Sequence, residues 1–228
     1  MGYVGSKPSA VPLTSADITD GIITSAKIAN GTIVNADINA SAGIDSTKIS
    51  GLSSDYVLLA TVDASSSASV SFDGYFSATY KNYTLVISGL TPATDNTLLR
   101  FRVRQSNADV TSSGYGFAFY GVYRASGIGD GATVGGGNNN YAEINYSQGL
   151  SNTAGYGLNG RIYIHNPLAT EYRVFQADTS FFMYDENYAK VQTNLIYWNG
   201  NDTALSGFSL FMSSGNISSG SFKLYGLK

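Results

Sequence analysis

One short segment of the sequence combines an aromatic ring with small polar side chains, the usual composition of a saccharide-binding surface. The segment is Trp198-Asn199-Gly200-Asn201-Asp202. An indole ring offers a flat apolar surface on which a sugar ring stacks, and amide side chains both donate and accept hydrogen bonds to hydroxyls. The alternative for Trp198 is a place in the hydrophobic core, where it would close a strand. The segment therefore predicts either a glycan-binding platform or a strand end.

A second candidate for glycan binding is a glycine-rich loop at residues 127–140 that ends in three asparagines and is followed by an aromatic residue. The residues are Asn138, Asn139, Asn140 and Tyr141. Glycines permit close backbone approach, and the amides would hydrogen-bond sugar hydroxyls while Tyr141 stacks on the ring. The run lacks the strand and helix that flank a nucleotide-binding loop. A surface loop without a ligand is the alternative interpretation.

Residues that would carry catalysis are few. His165 lies inside an alternating segment and is predicted to be structural, and Asp178, Asp185 and Glu186 are the acidic residues that would be paired in a glycosidase. Acidic residues that border a strand are far more often solvated. The sequence contains no cysteine and none of the common catalytic motifs. We therefore expect a protein that is not an enzyme, with no catalytic residues, cofactor or metal site.

The charge pattern argues against two classes of partner. Charged residues make up 13% of the 228 residues, the formal net charge is −3, and the basic residues are scattered. A nucleic-acid groove needs a basic stripe that replaces counterions, and a membrane span needs a run of about 18 or more apolar residues. Because the sequence has neither, we expect no nucleic-acid binding and no membrane insertion.

Residues 14–55 form a repeat with a period of ten and lack the large side chains of a globular core. Thr14–Gly21 is followed by the matching Thr24–Gly31, and only Tyr3 among the aromatic residues precedes Tyr56. Isoleucines recur four to six residues apart, which fits neither a helix nor a continuous strand. A capped turn followed by a short extended piece would bring them to one side of the chain. The isoleucines predicted to form the core of a trimeric stem are Ile18, Ile28, Ile38 and Ile49.

Association of three copies follows from this pattern because an isolated repeat has nowhere to bury its isoleucines. The alternative is a flexible linker, but a linker has no reason to keep isoleucines in register. The sequence therefore predicts a homotrimer held by residues 14–55, preceded by an attachment segment at residues 1–13.

Residues 56–228 change to a period of two. Short runs alternate apolar and polar residues, as in Leu98–Arg104, where Leu99, Phe101 and Val103 face one side and arginines the other. Gly160–His165 and Ser206–Met212 repeat the pattern, and turn-forming residues separate the runs. Alternating strands without an amphipathic helix are typical of an all-β fold. We predict an antiparallel, jelly-roll-like β-sandwich as the head of the molecule.

Parts of both regions resemble a known class of proteins. The decapeptides Ser15–Gly21 and Ser25–Gly31 resemble stem repeats of bacteriophage tail fibres and other virion fibres, and Ser213–Leu227 and Tyr83–Leu90 are similar to parts of phage structural proteins. The resemblance implies a homotrimeric virion structural protein made in the cytoplasm of a bacterial host. Its N-terminus, with Tyr3 as anchor, would bind a capsid, portal or tail protein.

The same resemblance leaves two roles open for the head. In one, the protein is a tail fibre or spike whose head attaches to polysaccharide on the host surface. In the other, it is a head fibre or capsid decoration protein with a purely structural role, which the short length of 228 residues favours.

Overall fold

The computed structural model describes residues 14–45, 48–49, 54–124, 128–129, 133–134, 137–146, 149–184 and 188–228. The chain divides into two compact units, Met1–Ser53 and Ser54–Lys228. They are called the N-terminal and C-terminal units below. The predicted anchor Tyr3 lies outside the described residues.

The N-terminal unit consists of repeated turns. One-turn 3-10 helices lie at Ser15–Asp17, Ser25–Lys27 and Asn35–Asp37, one in each decapeptide. A second turn follows in the first two repeats, where Gly21 and Gly31 both have φ of +79°, a conformation that favours glycine because it lacks a Cβ atom. The turn predicted around each Ala-Asp/Lys-Ile is therefore present in these three repeats, but the side chains of Thr24 and Val34 make no capping hydrogen bond.

The C-terminal unit is built from antiparallel strands. They are β1 (Tyr56–Ser67), β2 (Ser69–Asp73), β3 (Asn82–Pro92), β4 (Leu99–Gln105), β5 (Ala108–Asp109), β6 (Tyr115–Arg124), β7 (Ile128–Gly129), β8 (Thr133–Val134), β9 (Ala142–Glu143), β10 (Leu158–His165), β11 (Arg173–Phe182), β12 (Ala189–Trp198), β13 (Gly207–Met212) and β14 (Ile217–Leu227).

The strands form two sheets. The large sheet has nine strands in the order β1-β14-β3-β10-β11-β12-β6-β7, with β8 also paired to β6. The small sheet has five strands in the order β2-β13-β4-β5, with β9 also paired to β4. The β1–β14 pair of the large sheet continues along the chain into the β2–β13 pair of the small sheet. The first two strands of the unit therefore pair with the last two, one pair in each sheet.

Inward-facing residues of the two sheets share one hydrophobic core. Phe101 of the small sheet packs on Phe175 of the large sheet with ring centroids 4.8 Å apart, and Phe208 stacks on Phe72 at 5.1 Å. Leu99, Phe101 and Val103 are fully buried as the period-two pattern predicts. The all-β antiparallel class is thus confirmed, and the two packed sheets are consistent with a sandwich.

Strand β12 departs from the rule that inward-facing residues are apolar. The inward face of β12 carries Lys190, Gln192 and Asn194, all buried. Asn194 donates hydrogen bonds of 2.8 Å to the carbonyls of Glu143 and Ile144, which fixes the segment that contains β9 against the large sheet. Buried polar groups persist where they are hydrogen-bonded, so this polar layer depends on a segment about 50 residues earlier in the chain.

Candidate functional site

A pocket of about 500 Å³ opens at one end of the β11–β12 hairpin. It is lined by Thr170, Glu171, Tyr172, Asn199, Asn201 and Asp202. The hairpin explains why these residues meet. Its last paired positions are Arg173 and Trp198, so the residues just before β11 and just after β12 leave the sheet at the same end. This cavity is called the Tyr172 pocket below.

The loop that forms one wall of the pocket is fixed from beneath by Arg173, which is almost fully buried. Its guanidinium donates hydrogen bonds to the carbonyls of Asn201 and Thr203. Burial lowers the pKa of Arg173, while the nearby carboxylate of Asp202 opposes that effect. The positive charge is therefore used inside the protein and is not presented to the pocket.

The side chain of Asn201 is also committed to the loop. Its amide pairs reciprocally with that of Gln105 at 2.7 and 3.2 Å, and its oxygen accepts a hydrogen bond of 3.0 Å from the backbone of Thr203. By contrast, the side chains of Tyr172, Glu171 and Asn199 make no hydrogen bond within the described part of the chain. These three side chains are exposed and available to a ligand.

Trp198 does not form the predicted platform. Its side chain is 0% exposed, packs near Tyr115 with ring centroids 6.3 Å apart, and lies beneath the guanidinium of Arg173 at 5.2 Å. Stacking a sugar on this ring would require the hairpin end to open. The structure therefore favours the core alternative for Trp198.

The other predicted platform, Tyr141, is covered on one face. The guanidinium of Arg100 stacks on its ring at 3.9 Å from the centroid, a cation–π contact. Asn140 uses its carbonyl to accept a hydrogen bond from Arg102, and Asn139 pairs with Tyr115 through the backbone. These neighbours of Tyr141 do not line the Tyr172 pocket.

Asn138 is exposed, with φ of +66°. Both predicted asparagine groups do lie near Gly114, whose backbone bonds to Asn139 and to Asn199. The structure therefore brings the two loops together but leaves only Asn199 and Asn201 in the pocket.

The aromatic residue that the sequence prediction missed is Tyr172, which is 73% exposed. It lies immediately before β11, which begins at Arg173. A signal was present in the sequence. Phe175 faces the core, and because neighbouring residues of a strand alternate in direction, Tyr172 lies on the opposite face.

The outer face of the large sheet carries a contiguous apolar surface. On β12, Val191, Leu195 and Tyr197 are between 37% and 58% exposed, and they are flanked by Val122 on β6 and Val174 on β11. Tyr120, the neighbour of Thr193, extends it. An exposed apolar patch of this kind commonly marks an interaction surface. It is called the β12 face below.

The outer face of the small sheet is instead charged and internally paired. Arg104 donates two hydrogen bonds of 3.0 and 2.9 Å to the carboxylate of Asp73 and a third to Asp109. Arg100 lies 3.4 Å from Glu143, and burial raises the pKa of Glu143 although Arg100 opposes the shift. The arginines predicted to face outward are therefore bound by acidic neighbours.

The stem isoleucines are exposed, and the candidate catalytic residues that the structure describes lie on the surface or in a hydrogen bond to a neighbouring side chain. Ile18, Ile28, Ile38 and Ile49 are 38–42% exposed. His165 is exposed at the end of β10, and Asp178 accepts a hydrogen bond of 2.9 Å from Thr193. Asp185 and Glu186 lie outside the described residues.

Within the described ranges, no three acidic or histidine side chains are grouped closely enough to hold a metal ion. Nor do those ranges include a helix that could cross a membrane. The chain matches no protein-family model, no curated protein and no solved structure.

Proposed function

We propose that this protein is a homotrimeric structural protein of a bacteriophage particle, with its N-terminal unit as the stem and its C-terminal unit as the head. The observation that carries the proposal is the regular exposure of isoleucine in the stem. Ile18, Ile28 and Ile38 recur every ten residues at 38–42% exposure. Each follows a turn that is closed by local hydrogen bonds, such as Asp17 N–H to the carbonyl of Thr14 at 3.0 Å.

Association of stems supplies the burial that one chain lacks. Full burial of an aliphatic side chain is worth about 1.5–3 kcal/mol relative to exposure, and each exposed isoleucine of the stem, part of whose surface is already covered, would gain roughly half of that. Repeats of this kind gain stability only from neighbours. Three chains around one axis would place the isoleucines of each repeat together, whereas a flexible linker would not conserve their spacing.

The head offers a second surface of the same character. The β12 face carries exposed valine, leucine and tyrosine, and Leu195-Ile196-Tyr197-Trp198 is apolar on both sides of the strand, a pattern typical of a strand buried on both faces. A second copy of the head is the partner we propose. Because stem and head belong to one chain, three associated stems would hold three heads at high effective concentration.

The topology of the head supports the jelly-roll prediction. The orders β1-β14-β3-β10 and β2-β13-β4-β5 match two interleaved Greek keys, the arrangement of a double-sheet jelly roll. Strands β11, β12 and β6 then extend the large sheet beyond that core. Such heads are compatible with host-surface attachment, which we propose as the role, and with capsid decoration, which is the second candidate.

Measuring the mass of the full chain in solution by light scattering tests the trimer. We expect about three times 24.1 kDa. Replacing Ile28 and Ile38 together by Asp should dissociate the stem because like charges would be buried near one axis. The matched control replaces Asn30 and Ala40 by Asp, at the repeat position where the first decapeptide carries Asp20. A monomer for the unmodified chain, or equal effects of both pairs, would contradict the proposal.

Attachment to the particle is tested separately. Residues 1–13, with Tyr3, are the proposed contact to a capsid, portal or tail protein. Deleting them should prevent incorporation into particles while the C-terminal unit still unfolds at the same temperature. Normal incorporation of the shortened protein would exclude this segment as the anchor, and unchanged host adsorption by particles without the protein would favour decoration over host attachment.

A further inference from the structure

The Tyr172 pocket has the features of a saccharide site that the predicted residues lacked. Its aromatic side chain is 73% exposed, whereas Trp198 is buried and Tyr141 is covered by Arg100. Tyrosine combines a flat apolar ring with a hydroxyl group that donates and accepts hydrogen bonds. Tyr172 can therefore stack on a sugar ring without disturbing the fold.

The wall opposite Tyr172 is held in place before any ligand binds. Arg173 binds two carbonyls of the loop that follows β12, and the Gln105–Asn201 amide pair ties the same loop to the end of β4. A preformed site loses less conformational entropy when it binds a ligand. The fixed loop leaves the amide of Asn199 and the carboxylate of Asp202 at the pocket surface.

The charges at the pocket limit which ligand it accepts. Glu171 and Asp202 both line it, and the neighbouring guanidinium of Arg173 is buried and already hydrogen-bonded to the loop. Ionised carboxylates are strong acceptors for hydroxyl groups, but they repel other anions. The chemistry selects a ligand rich in hydroxyls and without negative charge.

We propose that the Tyr172 pocket binds a neutral saccharide, with Tyr172 stacking on the sugar ring while Glu171, Asp202 and Asn199 hydrogen-bond its hydroxyls. This site rests on the proposed function, since it names the class of host-surface ligand that the head would take. A trimer would present three such pockets, and simultaneous engagement would strengthen an individually weak contact.

The test measures binding of the full chain to immobilised polysaccharides. Dextran, mannan and galactan serve as neutral probes, and alginate and polysialic acid as acidic ones. We expect binding to at least one neutral probe and none to the acidic probes. Tyr172→Ala should weaken it about thirtyfold, which corresponds to the roughly 2 kcal/mol that loss of an aromatic anchor costs. Tyr172→Phe keeps the ring and should bind within a few-fold of the unmodified chain.

The matched control is Tyr188→Ala, which removes an exposed tyrosine at the opposite end of the same hairpin. It should leave binding unchanged. A second variant, Glu171→Gln with Asp202→Asn, should admit the acidic probes because it removes the repulsion.

Three outcomes would overturn the site. The first is that no neutral probe binds, and the second is that Tyr172→Ala binds as well as the unmodified chain. The third is that chelation of divalent cations abolishes binding whereas Tyr172→Ala does not weaken it. The mass measurement separates this result from the proposed assembly. A trimer that binds no polysaccharide would reject the pocket alone, and a monomer that binds would reject the trimer alone.

Discussion

The two units of this chain hold their structures by different means. In the C-terminal unit, fully buried rings such as Phe101, Phe175 and Trp198 join two sheets. In the N-terminal unit, the hydrogen bonds close turns of a few residues and isoleucines such as Ile18 and Ile28 remain well exposed. Short hydrogen-bonded turns are only marginally stable without packing. The C-terminal unit therefore supplies its own core, whereas the described part of the N-terminal unit leaves its isoleucines exposed, and this exposure is the basis of the proposed association.

The largest effect is expected from truncating the buried indole. Trp198→Ala should lower the free energy of unfolding of the C-terminal unit by about 3–5 kcal/mol, because it removes a fully buried aromatic side chain. Circular dichroism during denaturant unfolding measures this. Tyr172→Ala, at the exposed end of the same hairpin, should change stability by less than about 0.5 kcal/mol. Similar effects for the two variants would mean that Trp198 is not part of the core.

Two glycine substitutions compare the dense packing of the C-terminal unit with the open surroundings of the N-terminal unit. In Gly207→Ala, the added Cβ would lie 1.9 Å from the carbonyl oxygen of Phe72 on the neighbouring strand, so β2 and β13 must separate, at a cost of about 1–3 kcal/mol. Gly21→Ala meets no atom within 4 Å. Its cost is about 1–2 kcal/mol of local backbone strain at φ of +79°.

Fluorescence of Trp198, the sole tryptophan, reports unfolding of the C-terminal unit for both variants. Gly207→Ala should lower the midpoint and Gly21→Ala should not. A shifted midpoint in Gly21→Ala would show that the two units unfold together.

The ion pairs of the small sheet should contribute less than the core. Asp73→Asn removes the charge from a carboxylate that holds the Nε of Arg104 at 2.9 and 3.0 Å. Partly exposed, charge-assisted contacts of this kind are worth about 1 kcal/mol. Thermal unfolding at low and high salt measures the contribution, and Asp63→Asn on exposed β1 is the control. Equal behaviour of the two variants would exclude a stabilising role for the Arg104 cluster.

The smallest effect concerns pH, and its sign differs between the units. Hydrogen bonds from the backbone and side chain of Thr14 lower the pKa of Asp17 below its usual 3.8. The folded turn therefore favours ionised Asp17, and this stabilisation is lost as the pH falls through the lowered pKa. Burial raises the pKa of Glu143 above 4.5, so the folded C-terminal unit binds this proton more readily than the unfolded chain. Its contribution is favourable in acid and is lost as the pH rises through the raised pKa.

Amide chemical shifts of Thr14 and unfolding curves from about pH 2 to pH 7 test these opposite trends. Glu143→Gln should remove the acid stabilisation of the C-terminal unit and leave Thr14 unaffected. Asp17→Asn should remove the pH dependence of the Thr14 amide shift and leave the unfolding of the C-terminal unit unaffected. The same pH dependence in both units of the unmodified chain would contradict the assignment.

The sequence alone was sufficient where the deciding interactions are local or periodic. The alternation in Leu98–Arg104 predicted both a strand and its buried side, because side chains of a strand point to opposite faces in turn. The decapeptide period predicted one turn per repeat around Asp17, Lys27 and Asp37, because helix and strand spacings both failed to collect the isoleucines. For Trp198 the sequence left both the glycan platform and the core open, and its full burial in the structure decides for the core.

Only the tertiary structure decided which polar and aromatic side chains remain available for binding. Tyr141 and Tyr172 are both tyrosines just outside a strand, but Arg100 on β4 stacks on the ring of Tyr141, whereas the side chain of Tyr172 is 73% exposed. The side-chain amide of Asn201 is hydrogen-bonded to that of Gln105, which lies 96 residues away in the chain, and is therefore not available to a ligand. The polar inner face of β12 is buried because residues 142–146 pack across it. These outcomes depend on contacts between distant segments, and no local pattern of residues encodes which segment will arrive.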